Sequence, residues 1–247
     1  EYVESKGMIF ISTPFSRAAA NRLQKMDVPA YKIGSGECNN YPLLKHIASF
    51  GKPVILSTGM NDLASVAKAV EVFKNYDVPV AILHTTNLYP TPVNLVRFGA
   101  MTALHEAFPD LPFGLSDHST SILPSLLAVN MGAKIIEKHF TLNKNYKGPD
   151  HKSSLNPSEF KKLVEEINNK LIIKGSNIKQ VYVSERKNII PVRKSMYAKI
   201  NIKKGELFSN TNIIMKRPGN GISPMKFWKI IGKKSKYNFS KGQKIKL

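Results

Sequence analysis

Lys32-Ile33-Gly34-Ser35-Gly36-Glu37 follows the run Ala30-Tyr31, and its apolar character stops abruptly at small residues before a carboxylate. That pattern predicts a buried β-strand whose C-terminal end is stripped of bulk, so that backbone and hydroxyls can approach a ligand. It also sets a cation and an acid/base group at one strand end. The same unit recurs along the chain. Strands are predicted at Met8–Ser12, Ala30–Gly34, Pro53–Ser57, Val80–His84, Pro112–Leu115 and Ala133–His139. Helices are predicted between and after them, at Ser16–Met26, Pro42–Ser49, Asp62–Asn75, Val93–Ala107, Ile122–Asn130 and Pro157–Ile172. Asn61 is placed to cap the third helix, and Asn156 with Pro157 and Glu159 marks the start of the last. Gly51 and Gly132 stand where a left-handed residue ends a helix.

Strand–helix alternation with short connections implies parallel strands, and near-continuous apolar strands imply cover on both faces. A (β/α)8 barrel and an open doubly wound sheet both fit. No GxGxxG opens a helix, and polar residues stand at every strand end instead of at one switch point, which favours the barrel. Six strands are counted where eight would close it, so two β/α units are expected upstream of residue 1 and the chain reads as N-terminally truncated.

Beyond residue 175 the pattern changes. Short β-like runs, Lys194–Ile200 and Ile213–Lys216, alternate with turns at Lys204-Gly205, Pro218-Gly219-Asn220-Gly221 and Lys241-Gly242. Helical period survives only in Pro224–Ile231. The organisation read from this is a partial barrel over 1–173, a linker over 174–187 and a small, mostly β domain over 188–247. Charge divides at the same place. Residues 1–169 hold 17 Lys/Arg and 15 Asp/Glu, whereas residues 170–247 hold 20 and 2, giving that segment a net charge of +18. A polyanion-binding module is therefore a reading from another class, and a salt-sensitive affinity surviving deletion of residues 1–173 would support it. Lysine bias without recognition motifs or interleaved aromatics argues against nucleic acid as the partner. No apolar run reaches membrane-spanning length, and a lone Cys38 indicates a reducing cytoplasm. Cys38 lacks a His at activating spacing and reads as a packed small residue.

The strand ends collect Ser12, Thr13, Ser16, Lys32, Ser35, Glu37, Ser57, Thr58, His84, Thr85, Thr86, Asn87, Tyr89, Ser116, Asp117, His118, Ser119, Glu137 and His139, and the next loop adds Asp150 and His151. Many hydroxyls around one Lys suit an anion carrying phosphate and carboxylate. His118 and His139, on adjacent strands, suit a divalent cation with oxygen ligands completing its shell, such as Mn²⁺, Zn²⁺ or Fe²⁺; two hydrogen-bonded core histidines are the alternative. His84 is a weaker candidate, and His46 and His105 fall in helices as structural residues. Glu37 and Asp150 are acid/base candidates, each with an ion-pair role as its alternative.

Lys32–Leu43 (KIGSGECNNYPL), Gly51–Met60 (GKPVILSTGM), Thr86–Pro92 (TNLYPTP), Gly114–His118 (GLSDH), Glu137–Thr141 (EKHFT), Gly148–His151 (GPDH) and Lys216–Gly221 (KRPGNG) resemble the bacterial sialic acid (N-acetylneuraminate) synthase family across essentially the whole chain. The resemblance implies a TIM barrel followed by an antifreeze-like, SAF-type domain. It implies a metal-dependent condensation of phosphoenolpyruvate with open-chain N-acetylmannosamine that releases phosphate. By motif match His118 and His139 would hold the metal, with Mn²⁺ expected and Mg²⁺ or Co²⁺ as alternatives. Thr13, Lys32, Ser35, Ser57, Asn87, Tyr89 and Ser116 would surround phosphoenolpyruvate. Glu37 would be the acid/base group and Asp150 would hold sugar hydroxyls or assist proton transfer. Arg217 would reach the sugar from the partner subunit of a domain-swapped homodimer. A legionaminic acid synthase using a 2,4-diacetamido-trideoxy sugar is the enzymatic alternative. A pseudaminic acid synthase is disfavoured by Gly34-Ser35-Gly36-Glu37-Cys38.

Overall fold

The computed structural model describes residues Glu1–Leu247. They form two compact units, Glu1–Gly175 and Ser176–Leu247.

The first unit is built on five strands, β1 (Tyr31–Ile33), β2 (Val54–Ser57), β3 (Val80–Thr85), β4 (Phe113–Asp117) and β5 (Ile135–Lys138). All four pairings are parallel, and the strands lie side by side in chain order. Doubly wound sheets reverse strand order at a switch point. Unbroken order with right-handed crossovers sends every helix to the same face, which is the barrel arrangement. The sheet is open, with β1 and β5 as its outer strands.

The helices of this unit are α1 (Tyr2–Ser5), α2 (Arg17–Lys25), α3 (Tyr41–Ala48), α4 (Leu63–Lys74), α5 (Phe98–Ala107), α6 (Leu123–Asn130) and α7 (Pro157–Lys174). Their starts follow capping chemistry. Ser16 accepts from the Ala19 N–H on α2, and Asn156 and Glu159 form a reciprocal capping box on α7. Gly51 and Gly132 adopt φ of 70° and 107° after α3 and α6. Tyr31, Ile33, Leu44, Ile47, Leu56, Phe73 and Ile82 are fully buried between sheet and helices.

Gly114 on β4 leaves no room for a side chain. A Cβ there would stand 2.2 Å from the Ile135 carbonyl oxygen of β5 and 2.7 Å from Leu83 Cδ2. Backbone cannot yield as a side chain would. Gly114→Ala is therefore expected to cost at least about 1–3 kcal/mol, the range for overpacked cores. An unaltered urea midpoint would refute this.

Four expectations are corrected. Met8–Ser12 forms no strand and keeps a single bridge, Ser12 to Tyr31, because it has a bonding neighbour on one side only and Met8, Ile9 and Ile11 stay exposed. Asp62, not Asn61, caps α4; its carboxylate accepts from the Ser65 N–H at 2.8 Å, while Asn61 Nδ2 donates to the Ser35 and Gly59 carbonyls. Val93–Ala107 is not one helix. A 3₁₀ turn at Val93–Leu95 is separated from α5 by Arg97, whose φ of 59° is incompatible with helix. Helical structure also extends past Ile172 to Lys174.

In the second unit, α8 (Val183–Arg186) and α9 (Ile189–Val192) precede an antiparallel pair, β6 (Ser195–Ala198) and β7 (Ile213–Lys216), and α10 (Phe227–Ile230) follows a 3₁₀ turn. It holds less regular strand than expected. Only one ladder forms, and the other pairings are single bridges such as Ile202–Phe239 and Leu207–Lys234. Met196, Ala198, Ile202, Phe208, Ile213, Ile230, Phe239 and Ile245 make its core. The two similar turns share one construction. Glu206 N–H donates to the Lys203 carbonyl and its carboxylate accepts from Lys203 N–H, and Gln243 does the same to Ser240. Gly205 and Gly242 have φ of 88° and 85°.

Candidate active site

A cleft of about 350 Å³ opens at the C-terminal ends of the strands. Thr13, Lys32, Ser35, Ser57, Asn87, Tyr89, Ser116, His118 and His139 all line it, so one site gathers these nine residues from separate sequence motifs. Pleating explains the selection. Side chains two apart on a strand share a face, so Ser57 faces the cleft while Thr58 lines a different cavity. That second space, about 540 Å³, lies against Met60, His84, Arg97 and Leu104. His84 Nε2 donates to the Val96 carbonyl at 2.7 Å, and burial pushes its pKa down; it stands apart from the cleft.

Polar contacts run across the cleft floor. Lys32 Nζ donates to Ser57 Oγ at 2.8 Å and lies 3.4 Å from Glu137 Oε2. Ser116 Oγ donates to Glu137 Oε1 at 2.6 Å. Burial lowers the pKa of Lys32, and the charge of Glu137 opposes that shift. Ser35 Oγ accepts from the Gly59 N–H, which fixes its position. Glu137 was collected among the strand-end residues without a role. Its register opposite Ser116 and its two-residue offset from His139 are what bring it into the cleft.

Under this floor lies an ion pair that no motif indicated. Lys138 Nζ and Asp117 Oδ2 are 3.0 Å apart, with both side chains 1% exposed. Asp117 also accepts from Ser119 N–H at 2.8 Å and Ser125 Oγ at 2.7 Å, and Lys138 donates to the Ser119 carbonyl. Lys138 neighbours the residue that reads as a site, so only three-dimensional packing separates its role from that of Glu137.

His118 and His139 are brought together, with ring centroids 5.2 Å apart and Tyr89 against both. His118 Nδ1 lies 3.0 Å from the Thr86 carbonyl oxygen, so it carries the hydrogen and leaves Nε2 as the lone-pair nitrogen, 3.5 Å from Ser116 Oγ. Burial lowers the pKa of His118, keeping the imidazole neutral as a ligand must be. The nearest groups to His139 include Asp150, whose Oδ2 is 3.9 Å from Nδ1. No cluster of three or more His, Cys, Asp or Glu side chains with metal-binding geometry is formed. Two imidazoles alone could hold a divalent cation only with water or substrate oxygens completing its shell.

Glu37 and Asp150 are absent from the cleft lining. Glu37 sits in a 3₁₀ turn after β1, where Asn40 Nδ2 donates to its carboxylate at 2.6 Å. Arg217 belongs to the second unit and donates from Nε to the Val192 carbonyl at 2.8 Å. Cys38 is fully buried and its thiol pKa is pushed up to about 11, which leaves it without thiolate character. His46 and His105 lie on α3 and α5.

Comparison with known proteins bears on the family of this chain. Residues 1–179 match the NeuB family and residues 193–247 match the SAF domain. The chain is 45% identical over 240 residues to the N,N'-diacetyllegionaminic acid synthase of Campylobacter jejuni, covering 96% of this chain and 72% of that protein. It is 32% identical over 234 residues to human N-acetylneuraminate-9-phosphate synthase, covering 94% and 65%. The crystal structure of the N-acetylneuraminic acid synthetase of Leptospira borgpetersenii, in complex with citrate, aligns with a TM-score of 0.70 at 35% identity, over 75% of this chain and 65% of that one. With five parallel strands in barrel order and a SAF domain after them, the chain belongs to the NeuB family of nonulosonic acid synthases.

Proposed function

We propose that this enzyme condenses phosphoenolpyruvate with the aldehyde form of an N-acetylated amino sugar and releases phosphate. The observation that carries the reading is the convergence of Lys32, six hydroxyl residues and two histidines on one strand-end cleft. Lys32, Ser35, Ser57 and Ser116 supply donors for the phosphate and carboxylate, while Thr13, Asn87 and Tyr89 bound the same space. A divalent cation held by His118 and His139, Mn²⁺ by our reading with Mg²⁺ or Co²⁺ as alternatives, would supply Lewis-acid polarisation of the aldehyde. Carbon 3 of phosphoenolpyruvate forms the new bond to the aldehyde carbon, water adds at carbon 2, and phosphate leaves with C–O cleavage. Asp150, whose Oδ2 lies 3.9 Å from His139 Nδ1, would hold sugar hydroxyls or pass a proton. Glu37 serves as acid/base group only if it leaves Asn40 and turns to the cleft.

The family resemblance favours N-acetylmannosamine as acceptor. The 45% identity to a diacetyllegionaminic acid synthase favours a 2,4-diacetamido-trideoxy sugar instead. Phosphate release from phosphoenolpyruvate with Mn²⁺, measured against each sugar, separates the two. Turnover requiring metal and one sugar names the substrate; none with either refutes the acceptor class.

We further propose a cytoplasmic, domain-swapped homodimer in which Arg217 of one copy meets the sugar in the other. No helix is long and apolar enough to cross a membrane. Arg217→Ala is expected to raise the KM for the sugar by about 10- to 100-fold, the loss of one charge-assisted contact, with the KM for phosphoenolpyruvate little changed. Equal effects on both substrates would count against that role.

A further inference from the structure

The cleft proposed to bind a multiply charged anion holds little free positive charge. Two lysines belong to its lining, Lys32 and Lys138, and the Lys138 side chain is buried beneath the floor. Lys138 is neutralised by Asp117. Lys32 lies 3.4 Å from Glu137, and the other oxygen of the same carboxylate accepts from Ser116. Two of the four donors proposed for the substrate's anionic groups are thus already engaged by one internal carboxylate.

The partners differ in mobility. The Lys32 side chain is 11% exposed and is fixed by Ser57 Oγ and the Ile33 carbonyl. The Glu137 side chain is 40% exposed and has water to turn into. A buried ammonium without a counter-charge is costly, so the empty cleft needs a carboxylate there. A cleft filled by phosphoenolpyruvate does not.

We propose that Glu137 is a resident counter-ion: it holds Lys32 and Ser116 while the cleft is empty and is displaced when the anionic substrate arrives. This rests on the phosphoenolpyruvate reading above. Glu137 sets which anions bind. A ligand must offer enough negative charge to replace a carboxylate already in place, so phosphates and phosphate esters pass and singly charged carboxylates do not. In this role it acts through Lys32 and Ser116, as a positioning residue.

Calorimetric titration of the whole protein with phosphoenolpyruvate, inorganic phosphate and acetate tests this. Glu137→Gln keeps shape and the acceptor for Ser116 but removes the charge. It is expected to bind phosphoenolpyruvate at least about tenfold tighter, since one like charge a few ångströms away is gone. The KM for phosphoenolpyruvate should fall without a rise in kcat, and Glu137→Asp, which keeps the charge, should not tighten binding. Unchanged or weaker binding by a folded Glu137→Gln protein overturns the proposal. Should that variant not fold, a crystal of the wild type with inorganic phosphate decides: Glu137 turned away from Lys32 supports the idea, and an intact pair beside bound phosphate overturns it. If the wild type binds no phosphoenolpyruvate while Glu137→Gln still tightens phosphate binding, the counter-ion stands and the substrate reading falls.

Discussion

Lys138→Met is expected to destabilise the protein by about 3–5 kcal/mol, the cost of removing one partner from a buried ion pair. The full value is anticipated because Lys138 and Asp117 are both 1% exposed and water cannot screen what remains. Burial drives the Lys138 pKa down, and the neighbouring Asp117 carboxylate opposes that shift. Loss of Lys138 strands the Asp117 carboxylate with two hydrogen bonds and no cation. Urea unfolding measures the difference. The double variant Lys138→Met, Asp117→Leu should recover much of the loss, since a well-packed apolar pair can match a buried ionic one. A shift below about 1 kcal/mol in the single variant would show that water reaches the pair.

His118→Ala and His139→Ala are each expected to reduce metal-dependent turnover by about 10³-fold or more, as several kcal/mol of transition-state stabilisation would be lost. Their folds should survive. His118 gives up one hydrogen bond to Thr86 and ring contact with Tyr89, and His139 is only partly buried. Metal affinity, read by calorimetry on the folded variants, should fall with turnover. Full activity in either variant would leave the two imidazoles as structural residues and end the metal assignment.

Much of this was legible in the chain. The β1–β5 strands and the cleft hydroxyls follow from runs such as Val80–Thr85 and Phe113–Asp117, where apolar residues give way to polar ones at one end. Legibility stopped where a residue's meaning depended on its neighbour across the sheet. Met8–Ser12 has strand composition yet no second partner to bond. Val93–Ala107 carries helical period through Arg97, and periodicity does not register one left-handed residue. Glu137 and Lys138 are adjacent and oppositely charged, which suggests a solvated pair. Register instead points one at Lys32 and the other at Asp117, and these two contacts give them different consequences.

The sheet also bears on how the protein is made. Each of its ladders joins a strand to the strand translated just before it. Every β/α unit can dock as soon as it leaves the ribosome, with no wait for a distant partner. Sheets that pair far-apart segments fold more slowly and hold bare edges open longer. Here one growing edge is always the newest strand, while the other stays at β1, where a single bridge to Ser12 is its only cover.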